Sequence, residues 1–312
     1  LKLRTIVKNI SLCKSQIREI KPDLVILIDY PGFNLRMAKF AKSLGLKVFY
    51  YISPKLWAWN ESRVKKIKKY TDKMFIIFPF EEEFYHRHGI EVKFNGNPLV
   101  DEIEKWKSSI TAGKDDILKM SGVSSENVIA MLPGSRKQEI KYILPEMLKV
   151  TEHFPEYEFV IAGVSTVSPG LYWKIIGDKP VKIVFDHTYD ILYASKAALV
   201  KSGTSTLEAA LLGIPQVVCY KGDPVSFAIA RRLVKVKFIS LVNLILGREA
   251  VKELIQFLLT EDNLVKSLEE ILPENEKREK MLRDYDEIRK ILGPAGASDK
   301  IAAEMVSCLK NS

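Results

Sequence analysis

The stretch Ala198-Leu-Val-Lys-Ser-Gly-Thr-Ser-Thr-Leu-Glu-Ala-Ala-Leu-Leu-Gly-Ile-Pro215 decides how this chain reads. It opens within a short apolar run, Ala197–Val200. Ser202, Gly203, Thr204, Ser205 and Thr206 follow as a loop without bulky side chains. Leu207, Leu211 and Leu212 then share one face of a helix that Gly213 ends, and Pro215 leads into a second apolar run, Gln216–Tyr220. The order is strand, loop, helix, strand. A small-residue loop lets backbone N–H groups close on an anion, and the start of the helix adds its positive dipole end. Glu208, early in that helix, is placed to meet a sugar hydroxyl beside a bound phosphate. An ordinary capped helix reads the same way, because Ser and Thr are also favoured N-caps. Both readings stand at this point.

The same design recurs upstream. Val128–Leu132 reads as a strand, followed by Pro133, Gly134, Ser135 and Arg136 and then a helix start containing Glu139. An Arg beside free helix N–H groups is placed to clamp a phosphate with paired hydrogen bonds. The alternative is a surface ion pair with Glu139. Tyr157–Ala162 and Val181–Val184 are further strands, so this part of the chain alternates strand and helix as a doubly wound parallel sheet does. Beyond it, residues 224–235 read as a basic amphipathic helix carrying Arg231 and Arg232. Residues 250–292 read as mostly helical with a break at Pro273. Gly293-Pro-Ala-Gly296 marks a hinge before a last helix, Ser298–Leu309.

The first part of the chain repeats the alternation. Residues 1–20 form an amphipathic helix, with Leu3, Ile6, Val7, Ile10, Ile17 and Ile20 between basic residues. It reads either as a core-packed helix with a solvated basic face or as a contact with an anionic membrane. Leu24–Ile28 is an unbroken apolar run, as in a buried parallel strand. Asp29 therefore falls at its carboxyl end, where open α/β sheets place their ligands. A carboxylate there is a turn-former or a general base, and Pro31 and Gly32 favour the turn. A helix at 35–44, a strand at 46–52, a loop carrying Trp57 and Trp59, and a basic helical run through Arg63–Lys69 follow. Next come a strand at 74–78, a helix at 81–88 and a short strand at 92–94. His86 and His88 have no metal-type partner nearby in sequence and read as surface residues. Asn95-Gly-Asn-Pro98 is a turn, and residues 99–126 are polar and broken by Gly113 and Gly122. The domain boundary is expected there: 1–110, 111–292, and 293–312 as a C-terminal helix.

Composition narrows the partners. The 312 residues are enough for two domains. Lys and Arg outnumber Asp and Glu by 48 to 39, an excess of +9 that favours an anionic partner without choosing among nucleic acid, phosphorylated substrate and membrane. Cys13, Cys219 and Cys308 are far apart and odd in number, which fits neither a disulfide framework nor a metal site. No Gly-x-Gly-x-x-Gly opens a helix, and no Walker lysine motif is present. Group transfer fits this arrangement better than hydride transfer.

Five segments carry a family resemblance: Ile28-Asp-Tyr-Pro-Gly-Phe-Asn34, Ser53-Pro-Lys-Leu-Trp-Ala-Trp59, Leu132-Pro-Gly-Ser-Arg136, Ser202-Gly-Thr-Ser-Thr-Leu-Glu208 and Ser240-Leu-Val-Asn-Leu244. In order, and over nearly the whole chain, they resemble the lipid-A-disaccharide synthases. The small loop and Glu208 suit many nucleotide-sugar glycosyltransferases, whereas the Asp-Tyr-Pro and Trp-Ala-Trp segments are more particular to this family.

The resemblance implies an α/β fold of GT-B architecture, two Rossmann-like domains facing across a cleft. The first would be an acceptor and membrane domain, the second a UDP-sugar domain, and the last helix would cross back to the first. It implies an inverting glycosyltransferase that uses no cofactor and no metal. The donor would be UDP-2,3-diacylglucosamine and the acceptor 2,3-diacylglucosamine 1-phosphate (lipid X). The products would be the β-1,6-linked disaccharide 1-phosphate and UDP. Asp29 matches the family's essential aspartate, proposed to deprotonate the acceptor hydroxyl, and Arg136 an arginine needed for activity. The donor would be held by Gly134, Ser135, Arg136, Ser202, Gly203, Thr204, Ser205, Thr206, Glu208 and Asn243. Asn34, Trp57 and Trp59 would belong to the acceptor pocket. Peripheral attachment to the cytoplasmic face of the inner membrane of a Gram-negative cell is implied, with a homodimer as a further expectation and nucleic acid not expected.

Two departures accompany the resemblance. Family members begin with a strand and a Gly-Glu-x-x-Gly-type loop ahead of the helix that opens this chain, so the first domain is expected to lack its leading strands. Gly32 stands where some relatives carry a second acid, which leaves Asp29 as the carboxylate of its loop. The competing expectations are another UDP-sugar enzyme of the same architecture, such as a 2-epimerase or a glycosyltransferase with a soluble acceptor, and a chain that binds nucleotide or membrane without turnover.

Overall fold

The computed structural model describes residues 2–310 apart from 60, 111–112, 121, 124, 235 and 274. Leu1, Asn60 and Lys235, each part of a stretch read above, lie outside the described residues, as do the side chains of Leu3 and Trp59. The chain divides into two compact units. One comprises residues 1–101, 233–236 and 292–312, the other residues 102–232 and 237–291.

In chain order the elements are α1 (Lys2–Ile20), β1 (Leu24–Ile28), α2 (Pro31–Ser43), β2 (Lys47–Tyr51), α3 (Leu56–Trp59), α4 (Val64–Tyr70), β3 (Lys73–Phe75), α5 (Phe80–Arg87), α6 (Pro98–Ser109) and α7 (Lys114–Met120). There follow β4 (Val128–Leu132), α8 (Lys137–Met147), β5 (Glu158–Gly163), α9 (Pro169–Ile176), β6 (Val181–Phe185), α10 (Thr188–Ala194), β7 (Ala197–Lys201), α11 (Thr204–Leu212) and β8 (Gln216–Tyr220). The last are α12 (Pro224–Leu233), α13 (Leu241–Leu246), β9 (Lys252–Ile255), α14 (Glu261–Glu269), α15 (Glu276–Leu292) and α16 (Ala297–Lys310).

The first unit is built on a parallel sheet in the order β1-β2-β3. Side chains alternate across a strand, and β2 uses both faces. Val48 and Tyr50 join Leu27, Met37, Ile67 and Tyr85 in one core, while Phe49 joins Phe75, Ile301 and Met305 in another. Helix α16 therefore covers the second face of this sheet. The Asp101 carboxylate fixes its start by accepting from the backbone N–H of Gly296 (2.7 Å), Ala297 (3.1 Å) and Ser298 (2.8 Å).

The second unit holds six parallel strands in the order β6-β5-β4-β7-β8-β9. Its central strands are mostly apolar because helices cover both faces: β4 is buried at every position, and β7 and β8 at all but the last, with Gln216 the buried polar residue that opens β8.

Several sequence expectations are corrected. Pro31 and Gly32 are the first helical residues of α2, not a turn, because Pro suits the N1 position. Trp57 and Trp59 lie in the short helix α3 rather than a loop. The third strand ends at Phe75, and the segment expected as a strand at 92–94 contributes only a bridge, Phe94 to Ile76. Helix α6 runs through a stretch read as broken and polar. Strand β9 lies in a segment read as helical: Lys-Glu-Leu-Ile has good helix formers, but the open edge of β8 recruits it into the sheet.

Candidate active site

The strand order of the second unit reverses between β4 and β7, and such switch points open a crevice at the carboxyl ends of the strands. Those two strands pair directly, with Leu132 opposite Val200. The loops after them, through Gly134–Arg136 and Ser202–Gly203, therefore leave the sheet side by side. Gly134 has φ +113°, and a Cβ there would lie 2.5 Å from Glu139 Oε2, so this position admits only glycine. The close approach lets the Glu139 carboxylate accept from Ser135 N–H (3.1 Å), from Arg136 Nη1 (3.0 Å) and from Lys201 Nζ (3.0 Å). Burial alone would raise the Glu139 carboxyl, but Lys201 and Arg136 outweigh it and hold the group below its ordinary value. The ion pair set against the anion-clamp reading is thus present. Arg136 nonetheless keeps 78% of its side chain exposed, and Lys201 brings a second cation to the same loops.

Helix α11 begins at Thr204 with Gly203 as N-cap, and its first N–H groups have no partner within the helix. Its loop side chains divide into two sets. Ser202 Oγ donates to Ile239 O (2.9 Å), and Thr206, fully buried, donates to Gly203 O (2.8 Å) and accepts from Leu241 N–H (3.3 Å). These two hold the loop. Thr204 is exposed and Gly203 half-buried, which leaves them open to a ligand, while the half-buried Ser205 is hydrogen-bonded to Glu208. Glu208 is half-buried, accepts a long hydrogen bond from the Tyr189 hydroxyl (3.4 Å), and is raised by burial.

Asn243 does not fit the donor-contact role expected of it. It is fully buried, its amide donates to Val251 O and Glu253 Oε1 (2.9 Å each), and its Oδ1 accepts from Ala250 N–H (2.7 Å) and Val251 N–H (3.0 Å). The hydrogen-bonding positions of the side chain are engaged inside the unit. Glu253 in turn accepts from Ile239 and Ser240 N–H, so Asn243 acts by fixing the segment against which Ser202 and Thr206 lean.

In the first unit Asp29 directly follows β1 and is exposed. Asp29 and Tyr30 both adopt left-handed backbone, φ +44° and +41°, a costly conformation that must be held by its surroundings. Asn34, nearly buried, supplies the hold: its amide donates to Ile28 O (2.8 Å) and Asp29 O (2.7 Å), and the Tyr50 hydroxyl also donates to Asp29 O. Asn34 is therefore a clamp on the aspartate's turn. Trp57 is half-buried, edge-on to Phe80 at 4.9 Å, and its indole donates to Glu81 Oε1 (3.1 Å). Glu81 is buried and also accepts from the Ser53 hydroxyl and from Ile77 and Phe78 N–H. Its carboxyl is raised by burial despite these donors. It ties together the segments that follow β2 and β3.

Sequence reasoning missed Lys201 and Glu81. Lys201 ends an apolar strand immediately before the small-residue loop, a signal that was available. Glu81 looked like any acid in a helix's first turn, and only the tertiary fold brings Trp57 to it. Among the described residues no group of three His, Cys, Asp or Glu is arranged to hold a metal ion, and no helix is long and apolar enough to cross a membrane.

The family model for lipid-A-disaccharide synthetase matches residues 1–305. The chain belongs to the lipid-A-disaccharide synthase family. It is 38% identical over 319 residues to the lipid-A-disaccharide synthase of Syntrophus aciditrophicus, covering 100% of this chain and 82% of that one. It is 37% identical to that of Trichlorobacter lovleyi, covering 96% and 79%. Membership makes the chain a glycosyltransferase of lipid A biosynthesis. Among solved structures it is similar to UDP-GlcNAc 2-epimerase from Neisseria meningitidis bound to UDP-GlcNAc, with TM-score 0.69, 18% identity, and coverage of 97% of this chain and 81% of that one. UDP-N-acetylglucosamine 2-epimerase from Rickettsia bellii gives 0.64, 17%, 99% and 80%. At that identity the likeness carries the GT-B fold of Rossmann-like domains, not the epimerase chemistry.

Proposed function

We propose that the chain condenses UDP-2,3-diacylglucosamine with 2,3-diacylglucosamine 1-phosphate to give the β-1,6-linked disaccharide 1-phosphate and UDP. Family membership supports the reaction, and the paired loops at the strand-order reversal of the second unit carry the donor half of the reading. In this reading the donor diphosphate lies against Gly134–Arg136, Gly203–Ser205 and the start of α11, with Arg136 and Lys201 as its cations. Glu208 takes the ribose. As the bond from C1 of the donor sugar to the diphosphate oxygen breaks, negative charge gathers on UDP, and the cations and helix N–H groups stabilise it more than they stabilise the ground state.

The acceptor half is assigned to the first unit. Asp29 takes the proton of the acceptor hydroxyl as its oxygen attacks C1, with inversion at that carbon. The exposed carboxylate on a turn clamped by Asn34 and Tyr50 supports this role. Trp57, braced by Glu81, and Trp59 belong to the acceptor pocket. Because both substrates carry acyl chains, the chain works peripherally at the cytoplasmic face of the inner membrane, and it assembles as a homodimer.

The deciding experiment mixes the protein with both acylated substrates in detergent and measures UDP release, with the deacylated pair as control. Release that requires the acylated pair and yields the disaccharide supports the proposal. Equal turnover of the deacylated pair, or epimerisation of the UDP-sugar alone, overturns it.

A further inference from the structure

The strands of the first unit's sheet run parallel and end level, Ile28 opposite Tyr51 and Tyr51 opposite Phe75. The segments that follow them therefore leave by the same edge: Asp29 after β1, residues 52–57 after β2 and residues 76–80 after β3. The Asp29 turn has its clamp in Asn34 and Tyr50. The segment after β2 is strained as well. Ile52 has φ +59°, an outlier for a β-branched residue, so its surroundings must hold it.

Glu81 supplies that hold. It is 1% exposed, and an ionised carboxylate offers about four acceptor positions. All are taken. Oε1 accepts from the hydroxyl of Ser53, next to Ile52, and from Trp57 Nε1 (3.1 Å), while Oε2 accepts from Ile77 N–H (3.2 Å) and Phe78 N–H (3.1 Å). Burial raises the carboxyl, and the same donors work against that rise. No position is left for a ligand, so Glu81 acts through what it holds. Its neighbour Phe80 meets the Trp57 ring edge-on (4.9 Å) and stacks on buried Phe78 (5.4 Å). The rings of Trp57 and Phe80 are both half-buried and keep part of their surface open. Fixed aromatic area of this kind suits an apolar ligand surface, and it stands at the sheet edge that carries Asp29.

We propose that Trp57 and Phe80 form the floor for the apolar part of the acylated acceptor, and that Glu81 is the positioning residue of this floor and touches no substrate. The proposal rests on the acceptor reading of the first unit, and it adds Phe80 and Glu81 to the residues that set acceptor affinity.

Glu81→Gln is the informative change. The amide oxygen goes to the two backbone N–H groups, which cannot turn away, and the amide N–H groups then face the Trp57 indole, donor against donor. Calorimetry of the intact protein with 2,3-diacylglucosamine 1-phosphate in detergent micelles reads acceptor affinity, and initial rates with each substrate varied read KM and kcat. Glu81→Gln should weaken acceptor binding by roughly tenfold or more, the effect of one lost hydrogen bond to a charged group. Trp57→Phe and Phe80→Leu should each weaken it by roughly threefold to tenfold, the worth of an aromatic pair. Combined with Trp57→Phe, Glu81→Gln should add little, because it acts through the same ring. Donor KM should stay unchanged throughout, and kcat should fall less than acceptor KM rises.

Additive effects of Glu81→Gln and Trp57→Phe overturn the positioning role, as does a loss of kcat with acceptor KM intact. Unchanged acceptor affinity in Phe80→Leu overturns the floor. Where Glu81→Gln alone melts too low for binding to be read, adding Trp57→Phe removes the opposed indole N–H and should restore part of the melting temperature. No restoration would show that Glu81 does not hold the ring. A parent that binds no acceptor overturns the floor together with the acceptor reading, whereas a parent that binds acceptor without turnover counts against the proposed reaction only.

Discussion

Lys201 Nζ lies 3.0 Å from Glu139 Oε1, tying the last residue of β7 to the first turn of α8 across the reversal in strand order. The same carboxylate holds Arg136 and the Ser135 N–H. One internal anion thus gathers the cations and the N–H group that the proposed function assigns to the diphosphate. Lys201→Met should raise the KM for the donor by roughly tenfold or more, since a hydrogen bond to a charged group contributes about 1.5–3 kcal/mol. The KM for the acceptor should stay unchanged. Arg136→Ala should lower kcat by about 10²–10³-fold, the usual cost of removing a donor aimed at developing charge. Initial-rate kinetics with each substrate varied separately checks both. A rise in acceptor KM alone would remove Lys201 from the donor site.

The Asp29 turn gives a second prediction with two parts. Asp29→Asn should reduce turnover by about 10²–10⁴-fold, the range for losing a general base, with UDP affinity retained in calorimetry. Asn34→Ala removes the clamp but leaves the carboxylate. It should lower kcat by less than Asp29→Asn, because an unclamped left-handed turn relaxes toward ordinary backbone. If Asn34→Ala instead raised acceptor KM with kcat intact, Asn34 would touch the acceptor rather than hold the aspartate.

Strand–loop–helix units were legible wherever one local pattern carried them. The apolar runs of β4, β7 and β8 and the stop at Gly213, which has φ +76°, are dictated by residues within a few positions. The small-residue loops after β4 and β7 were legible for the same reason. What sequence could not carry was pairing at long range. Strand β9 exists because β8 offers an open edge, against the helical preference of Lys252-Glu-Leu-Ile255. The burial of Asn243 depends on Val251 and Glu253 folding over it. Its sequence neighbours Leu241, Val242 and Leu244 do not distinguish a buried structural amide from a ligand contact.

Asp101 makes stability depend on pH. Burial would raise its carboxyl, but the hydrogen bonds from Ser298, Gly296 and Ala297 outweigh burial and hold it below the ordinary aspartate value. A depressed folded-state value means that the folded chain binds the proton less readily than the unfolded chain. The stabilisation is therefore full above the unfolded aspartate value and is lost as pH falls through the folded one. Thermal melts taken from neutral pH into the acid range should show this loss. Asp101→Asn should lie below the parent at neutral pH, by about 1–2 kcal/mol as for a lost helix cap, and converge on it in acid. Parallel curves would show that Asp101 does not set this dependence.

Asn243 separates a ligand contact from a structural one. If it touched the donor, Asn243→Ala would weaken UDP binding and leave the melting temperature unmoved. Its geometry argues the reverse. Removing the amide orphans Ala250 and Val251 N–H and takes a donor from the Val251 carbonyl and from the Glu253 carboxylate. Each buried polar group left without a partner costs about 1–3 kcal/mol. The site also sits beneath Ser240 and Ile239, whose N–H groups share the same Glu253 carboxylate. Asn243→Ala should therefore lower stability by at least about 3 kcal/mol, read as a fall in the midpoint of urea unfolding. UDP affinity should fall less at low temperature, where the folded form still prevails. Asn243→Asp keeps the two acceptor contacts but sets a second carboxylate against Glu253, so it too should destabilise through charge repulsion. For that variant, unlike the alanine, the loss should ease as pH falls and the carboxyl pair takes up a proton.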